Sequence, residues 1–466
     1  MRALPVVVAV LLLAVPVAGV MSPTAGSESP AVVEASVDPV ASVDPVASAD
    51  PVASVDSVAS ADPVASVDSV ASVDSVYSAD PVAPPQLPSD PSQVDESNLT
   101  FRTLSAPAGA DSRVASAPRG ANLGPALSFS VADAGAAVET AAVVDRIESA
   151  ETSTERQRLI LAALSRIERD EVSLHSRQSN VFRAHASGNL SDRELLDELV
   201  RISATAREYD QRLERIDALA EETDGFSSPT RLDELQVALQ VYEGPVRDTA
   251  FATARGEVSA AEIHVESTAN SVTLATIVDG EYVRETFRND RWNRGGGAIS
   301  NDEAIEATAE SYPETAALRA PDAFGAGSIQ RISIPHEHGL LRTFVSGGTE
   351  QVFVEHQRID LDAFPDAERV SEAGDGFSVT VERSYVGGPV TVTVRDEETD
   401  EPTPDVTVTK SVGDGDSRAI GTTNADGVVR TLSPAESYRI TVVDEPRVVV
   451  VDDLRPTATP RLVDDE

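Results

Sequence analysis

The sequence predicts a multidomain α+β protein, and three patterns carry that prediction. Apolar residues recur at heptad spacing from Ile160 to Val181 and again from Leu199 to Ala220, which marks a pair of long helices. The period falls to two between residues 263 and 358, with one helix set among the strands. From Gly376 onward only short alternating strands and turns follow. A low-complexity repeat precedes all of these. The expected order is a disordered N-terminal stalk, an antiparallel long-helix hairpin or bundle, an α+β unit and a C-terminal β-sandwich.

The chain opens on Met1-Arg2 and an apolar run from Leu4 to Val17, followed by the small residues Ala18 and Gly19. That run is too short for a comfortable bilayer span, so residues 1–19 are expected to be a secretory signal peptide, with an uncleaved N-terminal anchor as the alternative. No transmembrane segment beyond the signal is expected. Residues 20–97 hold a six-residue repeat of the form Val-Asp-Pro/Ser-Val-Ala-Ser, with Asp38, Asp44, Asp50, Asp56, Asp62, Asp68, Asp74 and Asp80 in step. A left-handed β-helix would need more coils, and proline would interrupt its ladder in half the copies. A disordered, polyproline-like spacer stiffened by like charges is the expectation.

Residues 98–131 read as irregular, and residues 132–226 as the helical hairpin, beginning with a short helix over Ala132–Ser149. Gly188-Asn189 breaks the heptads, and Ser191 with Glu194 supplies a capping box for the helix that follows. The seam is thin, so a third surface is expected to cover it: a flanking helix or a second copy of the chain, with the intramolecular bundle as the default. Residues 231–362 form the α+β unit. It starts with a helix from Arg231 to Ala254 carrying Leu232, Leu235, Leu239 and Val246 on one side. Strands follow at Ile263–Val265, Val272–Val278 and Tyr282–Phe287, with Asp279-Gly280 as a hairpin turn. Asn301 caps a helix that Pro313 ends, and strands at Ile329–Ile334, Leu341–Val345 and Gln351–Arg358 complete the unit. Residues 376–455 form the sandwich, and residues 456–466 an acidic tail.

Composition sets the environment. The 466 residues carry 78 acidic and 37 basic side chains, a formal charge of −41, and Lys410 is the sole lysine. Such a surface repels nucleic acid, so no nucleic-acid partner is expected. Acidity of this degree goes either with disorder or with molar salt, where the Debye length falls to about 3 Å. A hydrophobic fraction of 41% and long periodic segments favour salt adaptation for most of the chain. There are no cysteines, which excludes disulfides, thiolate metal sites and cysteine nucleophiles.

Residues 299–358, from Ile299-Ser300-Asn301-Asp302-Glu303-Ala304 through Ile329–Ile334 and His338-Gly339 to Val345–Val354, resemble a PepSY-type module, a helix followed by a three-stranded meander. The resemblance implies an extracytoplasmic module that modulates secreted peptidases and has no catalytic residues of its own. Val394-Arg395-Asp396, Thr399, Pro402, Val406 and Thr423-Asn424-Ala425-Asp426-Gly427 resemble a carboxypeptidase-regulatory or transthyretin-like β-sandwich, which implies a spacer or adhesion module. The whole arrangement resembles a group of uncharacterised secreted surface proteins of halophilic archaea.

Few residues point to chemistry. His336-Glu337-His338 would place two imidazoles on one strand face, with His356 or His264 as neighbours, but zinc needs three or four converging ligands and two are assured. The acidic run Asp396–Glu401 lacks the ligand order of a dedicated calcium loop. Arg294-Gly295-Gly296-Gly297 is not followed by the lysine of a phosphate loop, and neither Gly-x-Ser-x-Gly nor His-Glu-x-x-His occurs. No catalytic residue, cofactor or resident metal is therefore expected. Asn98-Leu99-Thr100 and Asn189-Leu190-Ser191 are N-glycosylation sequons. The expected function is that of a non-catalytic secreted or cell-surface protein with a structural, adhesive or scaffolding role, facing protein or glycan of the cell envelope. The alternative is a regulator of an exported peptidase.

Overall fold

The computed structural model describes residues 100–465 apart from 260 and 366; the expected signal segment, the hexapeptide stalk and Asn98 lie outside the described residues. Five helices form the first layer: α1 (Leu123–Glu148), α2 (Ser153–Ala186), α3 (Asp192–Glu221), α4 (Thr230–Gln240) and α5 (Pro245–Arg255). The heptad residues Ile160, Ile167, Leu174 and Val181 are buried along α2, and Leu199, Ile202, Ala206, Leu213, Ile216 and Ala220 along α3. Ser191 and Glu194 make the expected capping box, each accepting from the other's backbone N–H. The thin seam is covered within the chain by α1, α4 and α5. Two helix limits differ from expectation. Helix α1 begins nine residues before Ala132, where Asn122 caps it by accepting from Gly124 N. The helix expected from Arg231 to Ala254 is two helices, because Gly244-Pro245 interrupts it: proline has no N–H to donate and sits at the first position of α5.

The second layer is an eight-stranded sheet in the order β1-β2-β3-β4-β8-β7-β6-β5. Its strands are β1 (Arg113–Arg119), β2 (Ala261–Ser267), β3 (Ser271–Val278), β4 (Glu281–Arg288), β5 (Asp322–Ala326), β6 (Ile329–His336), β7 (Gly339–Ser346) and β8 (Gln351–Asp360). Every pairing is antiparallel. Two meanders, β2-β3-β4 and β5-β6-β7-β8, meet where β4 pairs with β8. Asp279 (φ 51°) and Gly280 (φ 85°) form the expected turn between β3 and β4. Helices α6 (Asn301–Ser311) and α7 (Pro313–Leu318) carry the chain from the middle of the sheet to its far edge. Ser300, rather than Asn301, is the N-cap of α6, and Pro313 opens α7. Strands β1 and β5 had not been expected.

One apolar core joins α1–α5 to a face of this sheet, running from Phe129 through Ile160, Leu199, Tyr242 and Val246 to Val265, Phe287 and Phe353. The expected boundary between residues 226 and 231 is therefore not a boundary in packing: β1, which precedes the helices, is an edge strand of the sheet that follows them. The opposite face is covered by α6 and α7 with Leu104 and Leu462. Leu462 belongs to the segment expected to be an acidic tail. Instead, residues 456–465 run back beneath the sheet as a strap. Thr103 N donates to Pro460 O at 2.7 Å, Leu462 is fully buried, and Asp465 pairs with Arg288 (3.3 Å) and Arg291 (2.6 Å).

The third part is a sandwich, as expected, but it begins eight residues before Gly376 and gains the unexpected strands β9 (Glu368–Gly374) and β13 (Arg418–Thr422) beside β10 (Phe377–Arg383), β11 (Pro389–Asp396), β12 (Thr407–Val412), β14 (Val428–Leu432), β15 (Tyr438–Asp444) and β16 (Arg447–Leu454). Its sheets are β14-β11-β10-β9 and β13-β12-β15-β16. Alternate valines, such as Val379 and Val381 or Val390, Val392 and Val394, point inward and are fully buried. The sandwich rests on β1 and β2 through the sole lysine: Lys410 Nζ donates to Glu262 Oε2 (3.2 Å), Thr431 Oγ1 (2.9 Å) and Leu432 O (2.9 Å). Ser116 and Thr431 also donate to the Glu262 carboxylate. Every lone pair of this half-buried acid thus faces a donor, as a charge withdrawn from water requires.

Candidate functional site

Of the four histidines that the sequence brought under consideration, the structure keeps His336 and His338 together and places His264 and His356 elsewhere. His336 ends β6 and His338 lies in the turn to β7; their ring centroids are 6.1 Å apart, and both rings pack against Phe101, at 5.2 and 5.9 Å. Burial, with His338 beside it, pushes the His336 imidazole down to about 4. His264 lies under Gly387 at the sandwich junction. His356 is on the helix-facing side of β8. Among the described residues no three histidine or acidic side chains converge on a metal position. In the acidic run, Asp396 Oδ1 accepts from Glu398 N (3.1 Å), Thr399 N (3.0 Å) and Thr399 Oγ1 (3.1 Å), so this carboxylate closes the hairpin turn between β11 and the chain that follows. Asn189 is exposed in the α2–α3 turn, its amide donating to Ser187 Oγ at 3.0 Å, which leaves the sequon accessible.

A site that the sequence does not announce lies between the helix layer and the far half of the sheet. The α4–α5 break faces β6, β7 and β8 across a cleft of about 360 Å³. Glu243, Gly244, Pro245 and Asp248 line one wall, Asp210 of α3 and Gln240 of α4 another, and Arg331, Arg342, His356 and Arg358 the floor. The break is fixed from below. Glu285 on β4 accepts from Val246 N (3.0 Å) and from Arg247 Nε (2.7 Å), and Arg247 also donates to Tyr242 O (2.7 Å) and Gln178 Oε1 (3.0 Å). This buried carboxylate caps the N-terminus of α5, where the helix dipole favours negative charge.

The charges in the cleft are unevenly satisfied. Burial pushes the Glu243 carboxyl up to about 7, with Asp210 and Asp248 adding to the rise and Arg207 and Arg342 opposing it. Burial also raises Asp210, with Glu214 reinforcing it. The His356 ring is driven down to about 3 by burial, then by Arg342 and Arg247, so it is neutral, and it faces the Glu243 backbone. Arg331 donates to Gln240 Oε1 at 2.6 Å and lies over the Phe324 ring at 4.7 Å. Asp210 Oδ1, Glu243 Oε1, Arg331 Nε and Arg342 Nε are buried with no hydrogen-bond partner among the described residues. Such an arrangement can hold a polar group of mixed donor and acceptor character and can carry a proton near neutrality. Among the described residues no serine, threonine or tyrosine lines it.

The only sequence signal for this cleft was the placement of Arg342 between Leu340 and Phe344 at strand spacing, and of His356 two residues before Arg358. Both put polar side chains on a strand face that otherwise turns inward.

Three family models match the chain. Residues 1–259 match a domain of unknown function (DUF7096), residues 263–365 a family of unknown function (DUF7094), and residues 368–451 an archaeal fibronectin-III type-like domain. The expected sandwich is thus similar to a fibronectin-III type module, where its turn residues had suggested a transthyretin-like one. No curated protein and no solved structure matches the chain.

Proposed function

We propose that this chain, which belongs to the DUF7096 family through residues 1–259, is an exported, non-catalytic scaffold of the cell surface in a salt-rich setting. The observation that carries this reading is the way the fibronectin-III type-like module is held. It is not strung on a linker but seated on the α+β body through Lys410 and Glu262, and the strap leads back from it beneath the sheet. A β-sandwich fixed in this way presents its loops at a set distance and orientation, as an adhesive or spacing element requires. The apolar run at Leu4–Val17, the repeat after it and the exposed sequon at Asn189 fit export to the envelope. Envelope protein or glycan is the partner class.

The PepSY-like order favours a second reading. Helices α6 and α7 precede the meander β5-β6-β7-β8, which supports regulation of an exported peptidase through residues 299–358. The two readings part in a pull-down from the culture surface with the full chain as bait. Recovery of envelope protein or glycan supports the scaffold, whereas a peptidase whose activity changes on binding supports the regulator. Recovery of the chain in the cytosolic fraction overturns both.

A further inference from the structure

Helix α1 has two apolar faces, and only one is covered. Phe129, Thr140 and Ile147 turn inward, and Arg212 Nε donates to Thr140 Oγ1 at 2.9 Å, which pins this face to α3. On the opposite side Leu127, Val131, Ala134, Val138 and Ala141 follow one another at spacings of four and three, with Leu123 ahead of them. At about 100° per residue these positions fall on a single stripe half a turn away from Phe129 and Ile147. Leu123 is 74% exposed, Leu127 56%, Val131 72% and Val138 71%. Asp133 is the one charge between Leu123 and Val138, in a chain of net charge −41.

We propose that this face is the seam of a homodimer, in which α1 pairs with α1 of a second copy about a two-fold axis near Ala134. The four-three spacing is that of a helix-pairing seam, and a two-fold contact requires one surface to complement itself. The stripe from Leu123 to Ala141 covers 19 residues, about 28 Å of helix, and offers on the order of 500 Å² a side against the about 800 Å² per partner of a standard interface, the size of a weak, concentration-dependent dimer. Ala134, Gly135 and Ala141 let two backbones approach. By length and composition α1 could cross a bilayer. Its inner face is bound within the protein core, however, and helices that lie on lipid flank the apolar stripe with lysine and arginine. None occurs between Leu123 and Val138, and a chain of this charge is repelled by anionic lipid. Between lipid and a second copy, these observations favour the second copy. Both copies carry the same net charge, so the dimer strengthens as salt rises.

Sedimentation equilibrium of the full chain at micromolar concentration in molar KCl should give the mass of two 49.0-kDa chains. The double variant Val131→Asp, Val138→Asp should give one, with its far-UV circular dichroism unchanged because both residues are exposed. The chain has no cysteine, so Ala134→Cys introduces its sole thiol, and mild oxidation should link two copies. A monomeric wild type overturns the proposal; if that monomer floats with phosphatidylglycerol vesicles and the double variant does not, the face belongs to lipid. A dimer that survives both aspartates, or in which Ala134→Cys fails to cross-link, also overturns it.

Discussion

Gly244 shows how tightly one position can be determined. Its φ of −167° is ordinary extended backbone, yet a Cβ there would fall on the Glu285 carboxylate. That carboxylate holds Arg247 and the first turn of α5, so a methyl group must push apart a buried, hydrogen-bonded charge pair. Gly244→Ala is expected to lower unfolding free energy by on the order of 3 kcal/mol, read from denaturant midpoints in molar KCl. Next to it, Glu243 has a folded pKa of about 7 against 4.5 for the free side chain, with burial as the main cause. The folded state therefore holds this proton more tightly than the unfolded chain does. The resulting stability is full below about pH 4.5 and is lost as pH rises through about 7. Glu243→Gln mimics the protonated form at every pH. It should match the wild type near pH 5 and exceed it by about 2–3 kcal/mol near pH 8. Equal melting differences at both pH values would contradict the assignment.

At the scale of elements, legibility followed burial pattern. The α2–α3 hairpin could be read because Ile160, Ile167, Leu174 and Val181 all turn to one core, and the sandwich because its valines alternate. Strand β1 could not: it is an edge strand, Arg-Val-Ala-Ser-Ala-Pro-Arg, with small residues, a proline and no clean alternation. The cleft was illegible for another reason. Asp210, Glu243 and Arg342 come from three elements, and in a chain with 78 acidic residues no single carboxylate stands out. The C-terminal strap was misread because its last residues, Asp464-Asp465-Glu466, have the composition of a solvated tail, while its deep anchor is Leu462 alone, with Val463 beside it exposed. Leu462→Ala should cost about 2–4 kcal/mol, as for any fully buried leucine. The loss should appear first as faster proteolysis of the segment around Thr103, with which the strap pairs. A substitution without effect on that rate would show that the strap is not holding the sheet.

For the molecule as a whole, charge and packing pull in opposite directions. One core joins the helices to the eight-stranded sheet, and the sandwich is seated on that body, while the acidic excess of the sequence, a formal charge of −41 over all 466 residues, opposes compaction. Between about 1 M and about 0.01 M KCl the Debye length grows from about 3 to about 30 Å, so repulsion that was local becomes global. Helical circular dichroism should fall on dialysis across that range and recover on return; a spectrum that does not change would overturn the salt-adapted reading. On the proposed function, a folded scaffold stands on the outside of the cell. The most direct test is protease added to intact cells in their growth salt. The expected result is release of a resistant fragment that begins near residue 100 and keeps helices and sandwich together. A chain that stays intact until the cells are lysed would contradict it.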